Sequence, residues 1–283
     1  MLIEYIKACI YGIIEGITEW LPISSTGHLI LLERLISLDV GGNAQFKEQY
    51  LAMFDVVIQL GAILAVLFTC FRELFSFSGK PKATFSLWLK LALATLPAAL
   101  IGILADALCQ RLMGIGVDAL LFTPQVVASA LIIYGILFIT VERLTRNRRN
   151  EKKDISPVCA LAIGCFQSLA IVPGTSRSGA TILGARILGI SREEAARFSF
   201  LAAIPVIAAA SMLKVFDFCS FAIGSGIKIS SHAYLLMLLS GTVAFVISML
   251  TIRFLTEFVK KHSFVPFGIY RIVLGIAVLL FIK

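Results

Sequence analysis

Six long apolar runs punctuate the chain: Leu51–Cys70, Phe85–Leu104, Pro124–Thr140, Ala196–Phe216, Tyr234–Phe254 and Val265–Ile282. Each is about as long as a helix must be to cross the hydrocarbon of a bilayer. Two further regions behave differently. Leu2–Trp20 is followed at once by Pro22 and a shorter apolar stretch, Thr26–Ile36; Val158–Val172 is followed by Pro173 and then by Ser178–Ile190. A helix of a dozen residues reaches only ~20 Å, too little to cross. Each pair therefore predicts a re-entrant hairpin that enters the membrane and returns.

The two hairpins resemble each other. Gly12 and Glu15 precede Pro22-Ile23-Ser24-Ser25-Thr26-Gly27, and Gly164 and Gln167 precede Pro173-Gly174-Thr175-Ser176-Arg177-Ser178-Gly179. Weaker matches follow: Ala52-Met53-Phe54 parallels Ala196-Arg197-Phe198, and Thr95–Gly102 parallels Ser240–Ile247. The pattern predicts an all-α polytopic membrane protein of two repeats, each a re-entrant helical hairpin plus three transmembrane helices. Three crossings is an odd number, so the second repeat is expected to be inverted relative to the first. One integral membrane domain would span 1–283, with repeat one at about 1–145 and repeat two at about 155–283.

Composition supports this. Hydrophobic residues make up 59% of the 283 and charged residues only 15%, against about a quarter charged in a soluble domain. The opening MLIEYIKACIYGIIEG lacks a basic leader and a small-residue cleavage site, so it reads as mature protein. Lysine and arginine exceed the acidic residues by 25 to 17, but they are dispersed among apolar segments, which excludes a nucleic-acid partner. Their distribution instead orients the chain. Arg72, Lys80, Lys82, the 141–157 loop (Arg143, Arg146, Arg148, Arg149, Lys152, Lys153), Arg192, Arg197, Lys260 and Lys261 fall on one face, expected to be cytoplasmic. The other face has little beyond Lys7, Lys47, Arg111, Lys228 and Lys283. Both termini and the mouth of the first hairpin are then expected outside. Cys9, Cys70, Cys109, Cys159, Cys165 and Cys219 stand singly, without metal-ligand spacing, and read as small buried hydrophobes.

Chemistry concentrates at the two hairpin turns. Glu15 and Glu19 are four residues apart and share one helix face. A carboxylate pair at membrane depth needs a cation or a wet cavity, and two hard oxygen ligands suit Mg²⁺ or Ca²⁺ with substrate phosphates completing the shell; the plainer reading leaves Glu19 solvated at a surface. Ser24, Ser25 and Thr26 are N-cap types before an apolar helix. At a hairpin tip such a helix start offers free N–H groups and a positive dipole end to an anion, with Gly27 close by. His28 lies three residues after Ser25, where it could exchange a proton with a serine hydroxyl or a leaving group; a lone membrane histidine otherwise packs. In the second motif, Ser176, Arg177, Ser178 and Thr181 again open a short helix. Arg177 has no acidic sequence neighbour, and its planar fork suits a phosphate; snorkelling or pairing with Glu15 are the alternatives. Asp55 and Gln59 share a face and read as supporting or packing residues, and Arg253 and Arg271 as snorkelling anchors at cytoplasmic helix ends.

EGITEWLPISSTGH (Glu15–His28) and PGTSRSGAT (Pro173–Thr181) resemble the two signature motifs of the bacitracin-resistance type of undecaprenyl-diphosphate phosphatase, and FDVVIQLGAILAV (Phe54–Val66) and SFVPFGIYRI (Ser263–Ile272) are similar as well. The resemblance runs over essentially the whole chain. It implies removal of the terminal phosphate from a C55 polyprenyl diphosphate in the bacterial cell (inner) membrane, giving the monophosphate carrier of cell-wall synthesis, with a divalent cation required. It implies functional roles for Glu15, Glu19, Ser25, His28, Ser176 and Arg177, supported by Ser24, Thr26, Ser178 and Thr181. It leaves open whether a serine, the histidine or a water attacks phosphorus. The expectation carried forward has Ser25 as nucleophile, His28 as base or acid, Glu15 and Glu19 as metal ligands, and Arg177 with the helix N-termini taking up charge. Its rival is a transporter or flippase for a lipid phosphate or an ion, since broken helices in inverted repeats also serve transport. Oligomeric state stays open, a homodimer among the options.

Overall fold

The computed structural model describes residues 2–75, 81–146, 151, 154–225 and 229–281. Lys80, Arg148, Arg149, Lys152, Lys153, Lys228 and Lys283, used in the charge argument, lie outside the described residues. The elements run α1 (Leu2–Thr18), α2 (Ser25–Leu35), α3 (Ala44–Thr69), α4 (Phe71–Leu74), α5 (Pro81–Met113), α6 (Val117–Leu121), α7 (Pro124–Thr145), α8 (Pro157–Gln167), a 3-10 turn (Ser168–Ile171), α9 (Arg177–Ile187), α10 (Arg192–Ser225), α11 (Ser231–Lys261) and α12 (Val265–Phe281).

Every predicted span is a helix. Five of them (α3, α5, α7, α10 and α11) are long and apolar enough to cross a bilayer. The sixth, α12, has 17 described residues, about 25 Å of helix, and packs along α7. Most grew beyond their apolar runs because polar end residues continue the helix past the hydrocarbon. The protein is a polytopic membrane protein, helical throughout its described elements, with an apolar outward surface typified by Phe85, Ile103, Leu104 and Leu112 on α5.

Both short pairs fold back on themselves. At the open end of the first, Lys7 donates to the Ser37 carbonyl at 2.8 Å and Tyr11 to the Ile36 carbonyl at 3.1 Å. The end of α2 has thus returned to the start of α1. At the second, Arg186 near the end of α9 meets Glu151, just before α8, at 2.7 Å. The open ends lie at opposite ends of the long helices. The first packs with the start of α3 and α11 around Phe46, Tyr50 and Ala233. The second packs with their far ends around Val66, Leu255 and Val259. α1 lies along α11, α8 along α5, α7 along α12 and α3 along α10.

Small residues permit these approaches, as they must where lipid supplies no hydrophobic drive between helices. A Cβ on Gly164 would come within 2.6 Å of the Ala94 carbonyl oxygen on α5; one on Gly12 would strike the Ser240 carbonyl of α11. The basic residues gather at the second open end, where Arg197 pairs with Glu73 and Glu194, and Arg192 with Glu142.

Two expectations are corrected. The cysteines are free but none is buried; Cys165 and Cys219 are exposed. A membrane protein's outer face is itself apolar, so a small hydrophobe has no need of the interior. Arg271 is not a snorkelling anchor: it is fully buried, 0% exposed, under the two hairpin turns. Arg253 remains exposed, as an anchor would be.

Candidate active site

The first turn is built by a helix that cannot continue. Pro22 lacks an N–H and disfavours helix at the residue before it, so α1 stops at Thr18. Trp20, fully buried, packs edge-on against Phe200 at 5.6 Å and pins the turn to α10. Ser24 then takes φ 76°, ψ 92° and caps α2, its hydroxyl accepting from Gly27 N at 3.2 Å. In the second turn Ser176 does the same: φ 70°, ψ 121°, with Gly179 N donating at 3.1 Å. Positive φ in a residue with a Cβ costs ~1–3 kcal/mol and persists only where its surroundings over-determine it. Ser24 and Ser176 are the only such non-glycine positions among the described residues.

The two turns touch. Ser178 Oγ lies 3.1 Å from the Glu19 carbonyl and 3.3 Å from that of Leu21. Arg177 donates through Nε and Nη2 to Glu19 Oε1, at 3.3 and 3.0 Å, and through Nη1 to the Ser199 carbonyl at 2.8 Å. The other oxygen of Glu19, Oε2, accepts from Ser25 Oγ at 2.6 Å. One carboxylate thus joins the hydroxyl of one turn to the guanidinium of the other. The acid that Arg177 meets is Glu19, not the Glu15 weighed as an alternative; it lies 158 residues away, beyond any reading of sequence neighbours.

These groups face a cavity of about 280 Å³. Glu19, Ser25 and Thr26 line it from the first turn, Ser176 and Arg177 from the second, and Gln167 and Gln59 add amides. Ala98 and Gly102 on α5, and Val206, Ile207 and Ala210 on α10, add an apolar wall. Each stretch follows a proline inside its helix, Pro97 or Pro205.

The other predicted residues are placed as follows. Glu15 is fully buried one turn before Glu19, and neither of its oxygens has a hydrogen-bond partner. A buried carboxylate without donors calls for a cation or a proton, so the position fits a hard metal ion. Glu19 fits less freely, because both its oxygens are engaged. Among the described residues no group of three or more His, Cys, Asp or Glu side chains could hold a metal, so further ligands would have to come from the substrate or from hydroxyls and carbonyls. Thr181 holds the second turn to α10, its hydroxyl 2.7 Å from that of Ser199. His28 does not face the cavity. Its Nδ1 lies 2.7 Å from the Ser24 carbonyl and its Nε2 2.7 Å from the Tyr270 hydroxyl, with the two rings stacked at 5.7 Å. The helical spacing that puts His28 near Ser25 is real, but packing against α12 turns the ring away from the cavity.

Sequence reasoning missed Ser199, Tyr270 and Arg271. The carbonyl of Ser199 and the phenol of Tyr270 carry no sequence signal. Arg271 had one: it stands six residues inside the apolar helix α12, ~9 Å from its start, deep for an anchor.

The chain matches the model of the BacA family, bacitracin resistance protein BacA, over residues 8–277. It is 46% identical to an undecaprenyl-diphosphatase of Enterococcus faecalis, over 98% of this chain and 97% of that protein. It is 46% identical to undecaprenyl-diphosphatase 1 of Clostridioides difficile (strain 630), over 98% and 96%. It is 47% identical to an undecaprenyl-diphosphatase of Lactococcus lactis subsp. cremoris, over 98% and 97%. With two polar turns meeting in an apolar bundle and likeness over nearly its full length, this chain belongs to the BacA family.

Proposed function

We propose that this protein hydrolyses undecaprenyl diphosphate to undecaprenyl phosphate and inorganic phosphate in the bacterial cell membrane. The observation that carries this is the chain of contacts Ser25–Glu19–Arg177, set between two helix N-termini and walled by apolar helices. At about 280 Å³ the cavity is below the usual ~300–1,000 Å³ of sites that swallow a whole small ligand. It suits a diphosphate head group whose hydrocarbon tail remains among the helices and lipid.

The terminal phosphate would enter between the turns, where free N–H groups and dipoles of α2 and α9 favour negative charge. Arg177 would exchange Glu19 for a bidentate grip on phosphate oxygens. That exchange frees Glu19 to take the Ser25 proton as Ser25 Oγ forms a bond to the terminal phosphorus. The P–O bond to the bridging oxygen breaks, and undecaprenyl phosphate leaves. Glu19 gives up the first proton to the departing bridging oxygen; water then attacks the phosphoserine and passes a proton to Glu19, the bond between phosphorus and Ser25 Oγ breaks, and Glu19 returns that proton to Ser25 Oγ as inorganic phosphate departs. Glu19 thereby takes the base role that sequence spacing suggested for His28, which holds the first turn against α12. A divalent cation would be held by Glu15, with Glu19, and would supply charge neutralisation at the phosphate oxygens.

We read the fold as two inverted repeats. Support comes from the hairpins entering at opposite ends, from matched packing of α1 on α11 and α8 on α5, and from the shared strained serine caps. The excess of basic residues at one end supports a cytoplasmic location there, which opens the first hairpin to the outer face. Purified protein in detergent should release phosphate from undecaprenyl diphosphate, and Ser25→Ala should not. A wild-type protein that moves the lipid but releases no phosphate would establish the transporter reading instead. For sidedness, Arg146→Cys and Gly224→Cys in a cysteine-free background should separate on labelling intact cells with an impermeant thiol reagent. Label at 224 alone agrees with the orientation; label at 146 alone reverses it.

A further inference from the structure

Arg271 has no acidic partner among the ion pairs of the described residues. It is fully buried, and its guanidinium donates only to backbone: to the Pro22 carbonyl at 3.1 Å, the Gly174 carbonyl at 2.7 Å and the Thr175 carbonyl at 2.9 Å. The first belongs to one turn and the other two to the second. The guanidinium lies against the rings of Tyr134 and Phe138, 5.6 and 6.0 Å from their centroids, and Nε makes no hydrogen bond. A buried cation placed so is costly unless its fixed dipoles compensate.

We propose that Arg271 is a positioning residue for the hydrolysis: one guanidinium ties the carbonyls of both turns and so fixes Arg177 opposite Ser25. The inference rests on the function proposed above. Its physical logic is geometric. The turns come from distant chain segments, and among the hydrogen bonds of the described residues those of Arg271, Ser178 and Arg177 join them. Arg177 must release Glu19 when substrate binds, so it cannot also be the permanent tie. Arg271 does not line the cavity and is free to remain in place through turnover. By holding three carbonyl oxygens beneath the turns, it also keeps those partial negative charges from rotating toward the phosphate. A lysine keeps the charge but presents one nitrogen, which cannot span both turns and lie flat on the rings.

The test uses the purified full-length protein in detergent. Arg271→Lys should lower kcat by about 10–100-fold, the scale of a misplaced reacting group, with KM within about threefold. Gly179→Ala keeps the arginine but brings a methyl to 3.1 Å from Nη1; it should give a smaller loss of kcat in the same direction, which covers the case of a lysine variant that does not fold. A second readout is independent of activity. A single cysteine at Thr26, in a cysteine-free background, should react faster with a maleimide when Arg271 is lysine, because the turn is no longer held. Wild-type kcat in Arg271→Lys overturns the proposal, and so does a loss of kcat with no change in cysteine reactivity. If wild type itself releases no phosphate, the proposed function fails, while the labelling rate still decides whether Arg271 clasps the turns.

Discussion

The two hairpin turns share a serine cap at positive φ and carry different chemistry. A constant offset of 152 residues relates Gly12 to Gly164, Glu15 to Gln167, Ser24 to Ser176, Gly27 to Gly179 and Arg34 to Arg186. In each, the serine adopts positive φ and caps the second helix through the N–H three residues on. The chemistry diverges at three of the positions that matter: Ser25 corresponds to Arg177, Glu19 to Ile171 and Glu15 to Gln167. The first hairpin supplies hydroxyl and carboxylates, the second the guanidinium. A site with both signs of charge arises where two turns of like geometry meet, because the residue after the capping serine is Ser25 in one and Arg177 in the other. A single hairpin could not do this, since the residue after the cap cannot be serine and arginine at once.

The division predicts a sharp asymmetry. Ser25→Ala and Arg177→Lys should each lower turnover by on the order of 10³-fold, the scale of removing a reacting group or an electrostatic stabiliser, with folding retained. The exchanged double variant Ser25→Arg/Arg177→Ser should be inactive, because no carboxylate stands at Ile171 to receive the serine proton. Activity in the exchanged protein would abolish the distinction between the hairpins. Phosphate release by purified variants measures all three.

The open ends differ as well. The second is closed by Arg186, 2% exposed, on Glu142 and Glu151. The first is closed by Lys7 on Glu4, with Lys7 one-fifth exposed. Removing one partner of a buried pair costs ~3–5 kcal/mol and an exposed pair is worth ~0–1 kcal/mol; Lys7, one-fifth exposed on a buried Glu4, lies between these limits, and Arg186 at the first. Arg186→Met should therefore lower the thermal midpoint in detergent far more than Lys7→Met does. Equal shifts would show that both ends are equally solvated.

At the equivalent positions Glu15 and Gln167, the oxygens Oε1 and Oε2 of the first and Oε1 of the second are unpartnered, but only the first can carry charge. Glu15→Gln should raise the half-saturating Mg²⁺ or Ca²⁺ concentration by about tenfold or more, while Gln167→Ala should leave it unchanged. Identical metal titrations in wild type and Glu15→Gln would remove Glu15 from the cation site. The smallest effect belongs to the caps. Ser24→Gly and Ser176→Gly relieve the φ strain and lose the capping oxygen, so each should shift stability by no more than ~1 kcal/mol. Ser→Ala at either position keeps the strain and loses the cap, and should melt lower than the glycine variant.

Much of this was written in the chain. Long apolar runs can only be satisfied as helices in lipid, where every backbone group must bond internally, so the spans could be read from hydropathy alone. Pro22 and Pro173 preceded apolar helices too short to cross, and the serine, glycine and charged residues beside them marked both turns as the place for chemistry. These are local signals, set by each residue and its near neighbours. What only the tertiary structure decided is which of those residues meet. Glu19 and Arg177 are joined because two hairpins enter from opposite ends and stop at one level. His28 is turned to Tyr270 by a helix more than two hundred residues away, and Arg271 reads as an anchor until the carbonyls of both turns are placed around it. Helix period and hydropathy report on neighbours along the chain; hydrogen bonds between distant backbone carbonyls and a buried guanidinium leave no period to read.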